Sequence, residues 1–168
     1  MIRLRVTKYD PGKRDRRGRY LGNDYTSPSD VGSVIGGTVV RAIDYVLVED
    51  AYVQSVGALL SSVGGAVLHV SELEDWRGSV LVDREVRRLR PASLDSLREG
   101  MAVGGDDIER VVRMNLRDEI WCKPSGPSGV YVHFGHDLYM YMGCDGEDVA
   151  LGPPPKGVFH EDSESPYA

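Results

Sequence analysis

Two cysteines in 168 residues are too few for a disulfide scaffold, and neither Cys122 nor Cys144 has clustered histidines at zinc-finger spacing. Both are expected to be reduced thiols, with Cys122, beside Trp121, buried and inert. Aromatic residues make up only 8% of the chain. No apolar run approaches the roughly 18 residues that a spanning helix needs, and MIRLRVTKYD lacks the apolar stretch of a secretory leader. These absences predict a protein without a membrane segment and cytoplasmic in location. A nucleophile elbow, a Walker loop and a dinucleotide fingerprint are also missing, since Gly64-Gly65 and Gly104-Gly105 do not have phosphate-loop spacing. No catalytic residue, metal or cofactor is assigned, and the residues favour a role other than catalysis.

The length and a hydrophobic content of 41% suffice for one core, so a single domain is expected. The formal net charge of -6 argues against nucleic acid or anionic lipid as the partner of the whole surface. Charge is nonetheless uneven. Residues 1–20 carry eight basic side chains against Asp10 and Asp15, while the rest of the chain holds 12 basic and 24 acidic residues. The basic arm either folds back on the acidic body or binds phosphate, and the lack of aromatics between Lys13 and Arg19 favours the first.

Alternation of Ile2, Leu4 and Val6 with Arg3, Arg5 and Thr7 predicts a half-buried strand ending at Asp10-Pro11-Gly12. From Arg41 to Val63 apolar residues recur at steps of three and four, predicting an amphipathic helix stopped by Gly64-Gly65. Ala66, Leu68 and Val70 suggest a central strand, with His69 as a partly buried core histidine. Over residues 77–105 the pattern is weak: Gly78 to Val82 reads as a possible short strand, and Arg87 to Arg90 end an element before Pro91. Asp106 is expected to open a second helix with Glu109 completing a capping box, running to about Glu119. Charged Glu49, Asp50, Arg113, Arg117, Asp118 and Glu119 allow two readings, charged rims or a paired network, and solvated helix faces are expected. Strands over 129–134 and 138–142, joined by Gly135-His136-Asp137, form a hairpin. The expectation is an α+β fold, a mostly antiparallel sheet packed by two main helices, over residues 1–143. Residues 144–168 form an acidic Gly- and Pro-rich tail that wraps the surface, anchored by Val158, Phe159 and Tyr167.

The hairpin carries the main candidate site. Alternation puts Val130, Val132 and Phe134 on one face and Tyr131 and His133 on the other, joined there by Tyr139 and Tyr141. Side chains with an apolar body and a polar tip suit binding surfaces, although the same face also suits packing inside the fold. His133, His136 and Asp137 form an H-x-x-H-D cluster, but on a hairpin this spacing does not converge as it does on a helix. His136 is expected at the turn tip in solvent.

The segments from Lys8-Tyr9-Asp10 through Thr26-Ser27-Pro28-Ser29-Asp30-Val31-Gly32, Tyr45 to Tyr52 (YVLVEDAY), Leu116 to Lys123 (LRDEIWCK) and Val132 to Gly143 (VHFGHDLYMYMG) resemble small bacterial proteins of the kind that look like immunity proteins of toxin systems. This resemblance spans residue 1 to about 143. It implies a protein-binding inhibitor and supplies no catalytic residue. Toxins that attack nucleic acid are commonly basic, and an acidic inhibitor steers onto such a partner. On that reading Tyr131, His133, Tyr139 and Tyr141 are the anchors and Glu72, Glu74 and Asp75 the charged rim against a basic toxin domain. Two alternatives stand beside it: a small-molecule binder or enzyme with a His/Tyr pocket around residues 130–142, and a subunit whose tail docks on another chain.

Overall fold

The computed structural model describes residues 1–80, 82–146 and 149–167. In chain order the elements are β1 (Ile2–Thr7), β2 (Val34–Ile35), β3 (Thr38–Val39), α1 (Ala42–Ser62), β4 (Leu68–His69), β5 (Glu74–Asp75), α2 (Arg84–Leu89), β6 (Ala102–Val103), α3 (Asp106–Leu116), β7 (Ile120–Trp121), β8 (Tyr131–Phe134), β9 (Tyr139–Cys144) and β10 (Phe159–Asp162). The fold is a single α+β domain. Its main sheet is antiparallel in the order β10-β1-β9-β8, and the shorter strands pair as β2-β3, β4-β6 and β5-β7.

The period-2 pattern of β1 and the hairpin sorts side chains between the two faces of this sheet. Leu4 pairs with Met142 and Val6 with Met140, while Val132 and Phe134 pair with the same two methionines from the other side. Val6, Met140, Met142 and Val132 have no exposed surface. Helix α1 covers this inner face and is tied to it by polar contacts. The Tyr52 hydroxyl donates to the carbonyl of Leu138 and accepts from the Lys8 amide, and Ser55 Oγ meets His160 Nε2 of β10 at 3.0 Å. The Tyr45 hydroxyl donates to the Leu116 carbonyl at 2.6 Å, fixing α1 against the end of α3. Gly64 and Gly65 stop α1 with φ of +79° and +78°, and the Gly65 amide caps the Leu60 carbonyl at 2.8 Å.

Several local expectations are corrected. Helix α3 begins one residue after Gly105, which takes the cap position with φ 52° and ψ −129°, so Asp106 and Glu109 form no capping box. Asp118 turns the chain into the left-handed region at φ 56°, ending the helix before Glu119. The stretch expected as a central strand supplies only the two residues of β4, which pairs with β6, buries Leu68 against Val103 and carries an exposed His69. Ser125 links that pair to the main sheet by bridges to His69 and Tyr131. The possible strand at Gly78 to Val82 includes Leu81, which lies outside the described residues, and residues 77–79 form a turn. Helix α2 follows, capped by the Asp83 carboxylate on the amides of Glu85 and Val86. The hairpin connection contains Gly135, His136 and Asp137 as expected and is one residue longer, with Asp137 and Leu138 both at positive φ.

Of the charges expected on solvated faces, Glu49, Arg113, Arg117 and Glu119 are buried instead, Asp50 is half-buried and Asp118 is exposed. Glu49 and Arg117 are each 1% exposed and Arg113 is 3% exposed. Glu49 Oε1 accepts from Arg117 Nε at 2.7 Å, and Oε2 accepts from Arg117 Nη2 and Arg113 Nη1, both at 2.8 Å. Arg113 also reaches Asp50 and Glu109, and Arg90 pairs with Asp50, so the α1–α3 interface holds a connected ionic network.

Close approach of strands explains one glycine. A Cβ on Gly143 would collide with the Ile2 carbonyl oxygen and stand 2.8 Å from the Tyr131 ring. Because backbone on one side and a buried ring on the other have no room to shift, Gly143→Ala should cost about 1–3 kcal/mol. A thermal melt reads this as a lower Tm, and an unchanged Tm would show that β1 and β9 separate freely.

Candidate functional site

The outer face of the main sheet carries Tyr131, His133, Tyr139 and Tyr141, as the alternation predicts, together with Arg3, Arg5 and Glu161. Two stretches of the chain itself cover it. From the basic arm, Arg14 donates to the Tyr139 hydroxyl at 3.1 Å and to Glu161 Oε1 at 3.1 Å, while Arg5 pairs with the same glutamate. The arm thus folds back on the body. After β10 the chain crosses the face: the Ser163 amide donates to the Arg3 carbonyl, Ser165 Oγ meets His133 Nδ1 at 2.8 Å, and the Tyr167 ring stands edge-on to both Tyr141 and Trp121. Beneath this strap Tyr131 and His133, stacked with centroids 4.6 Å apart, are buried, whereas Tyr139 and Tyr141 are half-buried. Burial pushes the His133 imidazole down to about 4, helped by the Lys123 ammonium and opposed by Glu72.

Beside the strap lies a cleft of about 270 Å³ lined by Glu74, Trp76, Asn115, Asp118, Ile120, Trp121, Phe134, Gly135 and His136. Its walls follow from local structure. Strand β5 pairs Glu74 with Trp121 of β7, and the Trp121 indole N–H donates to the Phe134 carbonyl at 2.9 Å, locking that ring onto the hairpin. Trp76 leaves β5 with its amide bonded to the Glu119 carbonyl and the residue 41% exposed. The left-handed turn at Asp118 places this residue in the wall of the cleft, together with the two tryptophans and the hairpin end. Asp118 is exposed at the surface, yet the protein packed beside it partly desolvates its carboxyl and raises it above the ordinary aspartate value. Asp137 adds to this, and the Ser27 hydroxyl and His136 act in the opposite sense.

Glu72, Glu74 and Asp75 are exposed, and of the three Glu74 lines this cleft. Glu72 pairs with Lys123 at 3.0 Å and Asp75 with Arg77, but among the described residues Glu74, Asp118 and Asp137 have no ion-pair partner. Aromatic surface flanked by unpaired carboxylates is suited to a guanidinium or ammonium group, which gains both Coulomb attraction and contact with a ring face. Of the residues singled out from sequence, Glu74 lines the open cleft, Glu72 and Asp75 are exposed outside its lining, Tyr131 and His133 lie under cover, and Tyr139 and Tyr141 are half-buried. Trp76, Trp121 and Asp118 were missed as site residues. Trp76 had a usable signal, a bulky indole directly after an acidic run in a chain with two tryptophans.

Among the described residues no group of three His, Cys, Asp or Glu side chains is arranged to hold a metal ion. His133 bonds to Ser165, and His136 is exposed at the turn. Cys122 is fully buried, its thiol raised to about 11 by burial, with Asn115 donating to the sulfur. No described helix is long and apolar enough to cross a membrane. The chain matches no protein-family model, no curated protein and no solved structure.

Proposed function

We propose that the protein is a protein-binding inhibitor of the immunity type, which neutralises a basic toxin domain by seating a cationic side chain in the cleft between Trp76 and Trp121. The observation that supports this reading is the cleft itself: exposed aromatic surface bordered by Glu74 and Asp118, neither of them ion-paired among the described residues. A buried aromatic anchor inside a charged rim is the arrangement that concentrates binding energy at protein interfaces. The acidic rim of Glu72, Glu74 and Asp75 would speed encounter with a basic partner, most strongly at low salt. In the covered state Tyr139 and Tyr141 contribute at most their edges, so the rim and the indoles carry the contact. The rival His/Tyr pocket around residues 130–142 is less favoured, because Ser165 and Tyr167 occupy the space over His133 and Tyr141.

The test is affinity capture from host lysate at moderate salt with wild-type protein and a Glu74→Lys variant, followed by titration of the retained partner. A basic toxin-like domain retained by wild type alone is expected. Trp76→Ala should then bind it about 30-fold more weakly, the loss of an interface hot spot. Equal affinity of wild type and Trp76→Ala, or the absence of any basic partner, overturns the reading.

A further inference from the structure

Helices α1 and α2 meet solvent in opposite ways. Every exposed position of α2, namely Arg84, Glu85, Arg87 and Arg88, is charged. The exposed positions of α1 carry no charge at all: they are Ile43, Leu47, Gln54, Gly57, Ala58 and the final two serines. Leu47 is 57% exposed and Ile43 41%. A helix of 21 residues, about 31 Å long, thus turns an uncharged strip to water in a chain of which 27% is charged.

The spacing of this strip is that of a seam between helices. Ile43, Leu47, Asp50, Gln54, Gly57 and Ser61 follow one another at steps of four, three, four, three and four, the 3.5-residue period that keeps two helices in contact along their length. Its one charged member, Asp50, is half-buried and already neutralised by Arg90 and Arg113. The strip also carries its own complement. Beside Gly57 a cleft of about 130 Å³ opens between α1 and α3, walled by Val53, Val56, Ile108 and Val112, with Glu109, which is paired to Arg113, completing the wall. A Cβ on Gly57 would meet no atom within 4 Å, so the helix surface is open there. An apolar cavity of about 150 Å³ takes up benzene, and one of nearly that size admits the four carbons of a leucine side chain.

We propose that α1 is the contact of a symmetric homodimer, in which the α1 helices of two copies lie antiparallel and Leu47 of each enters the cleft beside Gly57 of the other. A two-fold axis level with residue 52 satisfies the strip throughout. Leu47 then faces Gly57, Ile43 faces Ser61, and the Gln54 amide can donate to the Asp50 carboxylate. Arg41, at the start of each helix, comes level with Val63 at the end of the other. The carbonyls there carry partial negative charge, and the last turn of α1 contains no basic side chain of its own. A parallel pair would instead set Leu47 against Leu47, leave both clefts empty and bring like helix ends together. Gly57 and Ala58 let the two backbones approach closely. A seam of this length, with the cleft wall from α3, buries on the order of 1,000 Å² in total, the lower bound of specific interfaces, so association at micromolar concentrations is expected. The strip shares no residue with the acidic aromatic cleft, so the dimer stands independently of the inhibitor reading.

Sedimentation velocity of the full chain, from low micromolar to submillimolar concentration, reads the dimer directly. A reversible monomer–dimer equilibrium is expected. It should be no weaker at high salt than at low, because the seam is uncharged and the two copies carry like net charge. Leu47→Lys should weaken association at least about 30-fold, since the change occurs twice in the contact. Gly57→Leu fills the cleft mouth from within its own chain and should weaken it at least about tenfold. Both positions are exposed and helical, so both variants fold, which a Tm no lower than that of monomeric wild type verifies. Val67→Lys replaces an exposed apolar residue off the helix and should dimerise as wild type does. A monomer at every concentration, a species larger than a dimer, association lost at high salt, or a dimer that survives either Leu47→Lys or Gly57→Leu overturns the proposal.

Discussion

Replacing Glu49 with glutamine should lower the free energy of unfolding by about 3–5 kcal/mol, the range measured when one partner of a buried ion pair is removed. The carboxylate accepts three hydrogen bonds from two guanidinium groups, and neither Arg113 nor Arg117 can lose its proton to escape the resulting imbalance. Burial alone would lower the Arg113 pKa, but the hydrogen bonds it donates to Glu109 and Glu49 and the nearby carboxylates reverse the shift, so the network favours the charged form. An amide of the same shape accepts at one atom only and brings an N–H group against two cations. Urea titration gives the answer directly, as a lower midpoint at an unchanged slope. A loss below about 1 kcal/mol would mean that water reaches these groups and screens them. Replacing Glu49, Arg113 and Arg117 together with apolar residues of similar volume should cost less than the single change, because the carboxylates this strands, Asp50 and Glu109, are less buried than Glu49 and Asp50 keeps its pair with Arg90.

The fold should also weaken as pH falls from neutrality, with His133 as a principal cause. In the unfolded chain its imidazole takes up a proton near pH 6.5, whereas beneath the strap it stays neutral down to about 4. The folded pKa is depressed, so the unfolded state binds more protons through this window. The stability associated with the neutral ring is complete above about pH 6.5 and drains away between there and pH 4. Between pH 7 and pH 5 the linkage amounts to about 2 kcal/mol. His160, lowered by burial against α1, acts with the same sign. Urea midpoints at the two pH values should therefore converge in a His133→Gln protein relative to wild type. Parallel pH dependence in the two proteins would place the titration elsewhere.

Much of the framework was legible because it rests on local periodicity. The alternation in β1 and across Val130 to Met142 assigned both faces of the sheet correctly, and the three- and four-residue spacing located α1 to within a residue at each end. Burial of Glu49 left a readable trace, since Tyr45, Glu49, Tyr52 and Val56 follow one another at steps of four, three and four. Reading the carboxylate as solvated ignored its place on the apolar stripe. Other features depend on partners far away in sequence and have no local pattern. Nothing within Phe159 to Asp162 announces pairing with β1, and nothing near His133 announces that Ser165 will cover it. The acidic rim was visible as composition. Its cleft was not, because Trp76, Asp118 and Trp121 are assembled by the β5–β7 pairing and a left-handed turn at a non-glycine residue.

The position of β1 between β9 and β10 governs when the molecule can form. Its residues Ile2 to Thr7 pair only with segments that follow at great distance, the Arg5 to Glu161 contact spanning 156 positions. On the ribosome, the earliest strand therefore waits, with Leu4 and Val6 exposed, until both of its neighbours have emerged. Helix α1 can form meanwhile from contacts within itself, but the inner face that it covers is completed last. Closing such long loops before they are rewarded makes assembly slow for a chain of this size and leaves a half-built sheet with an open edge, the species in which self-association competes with folding.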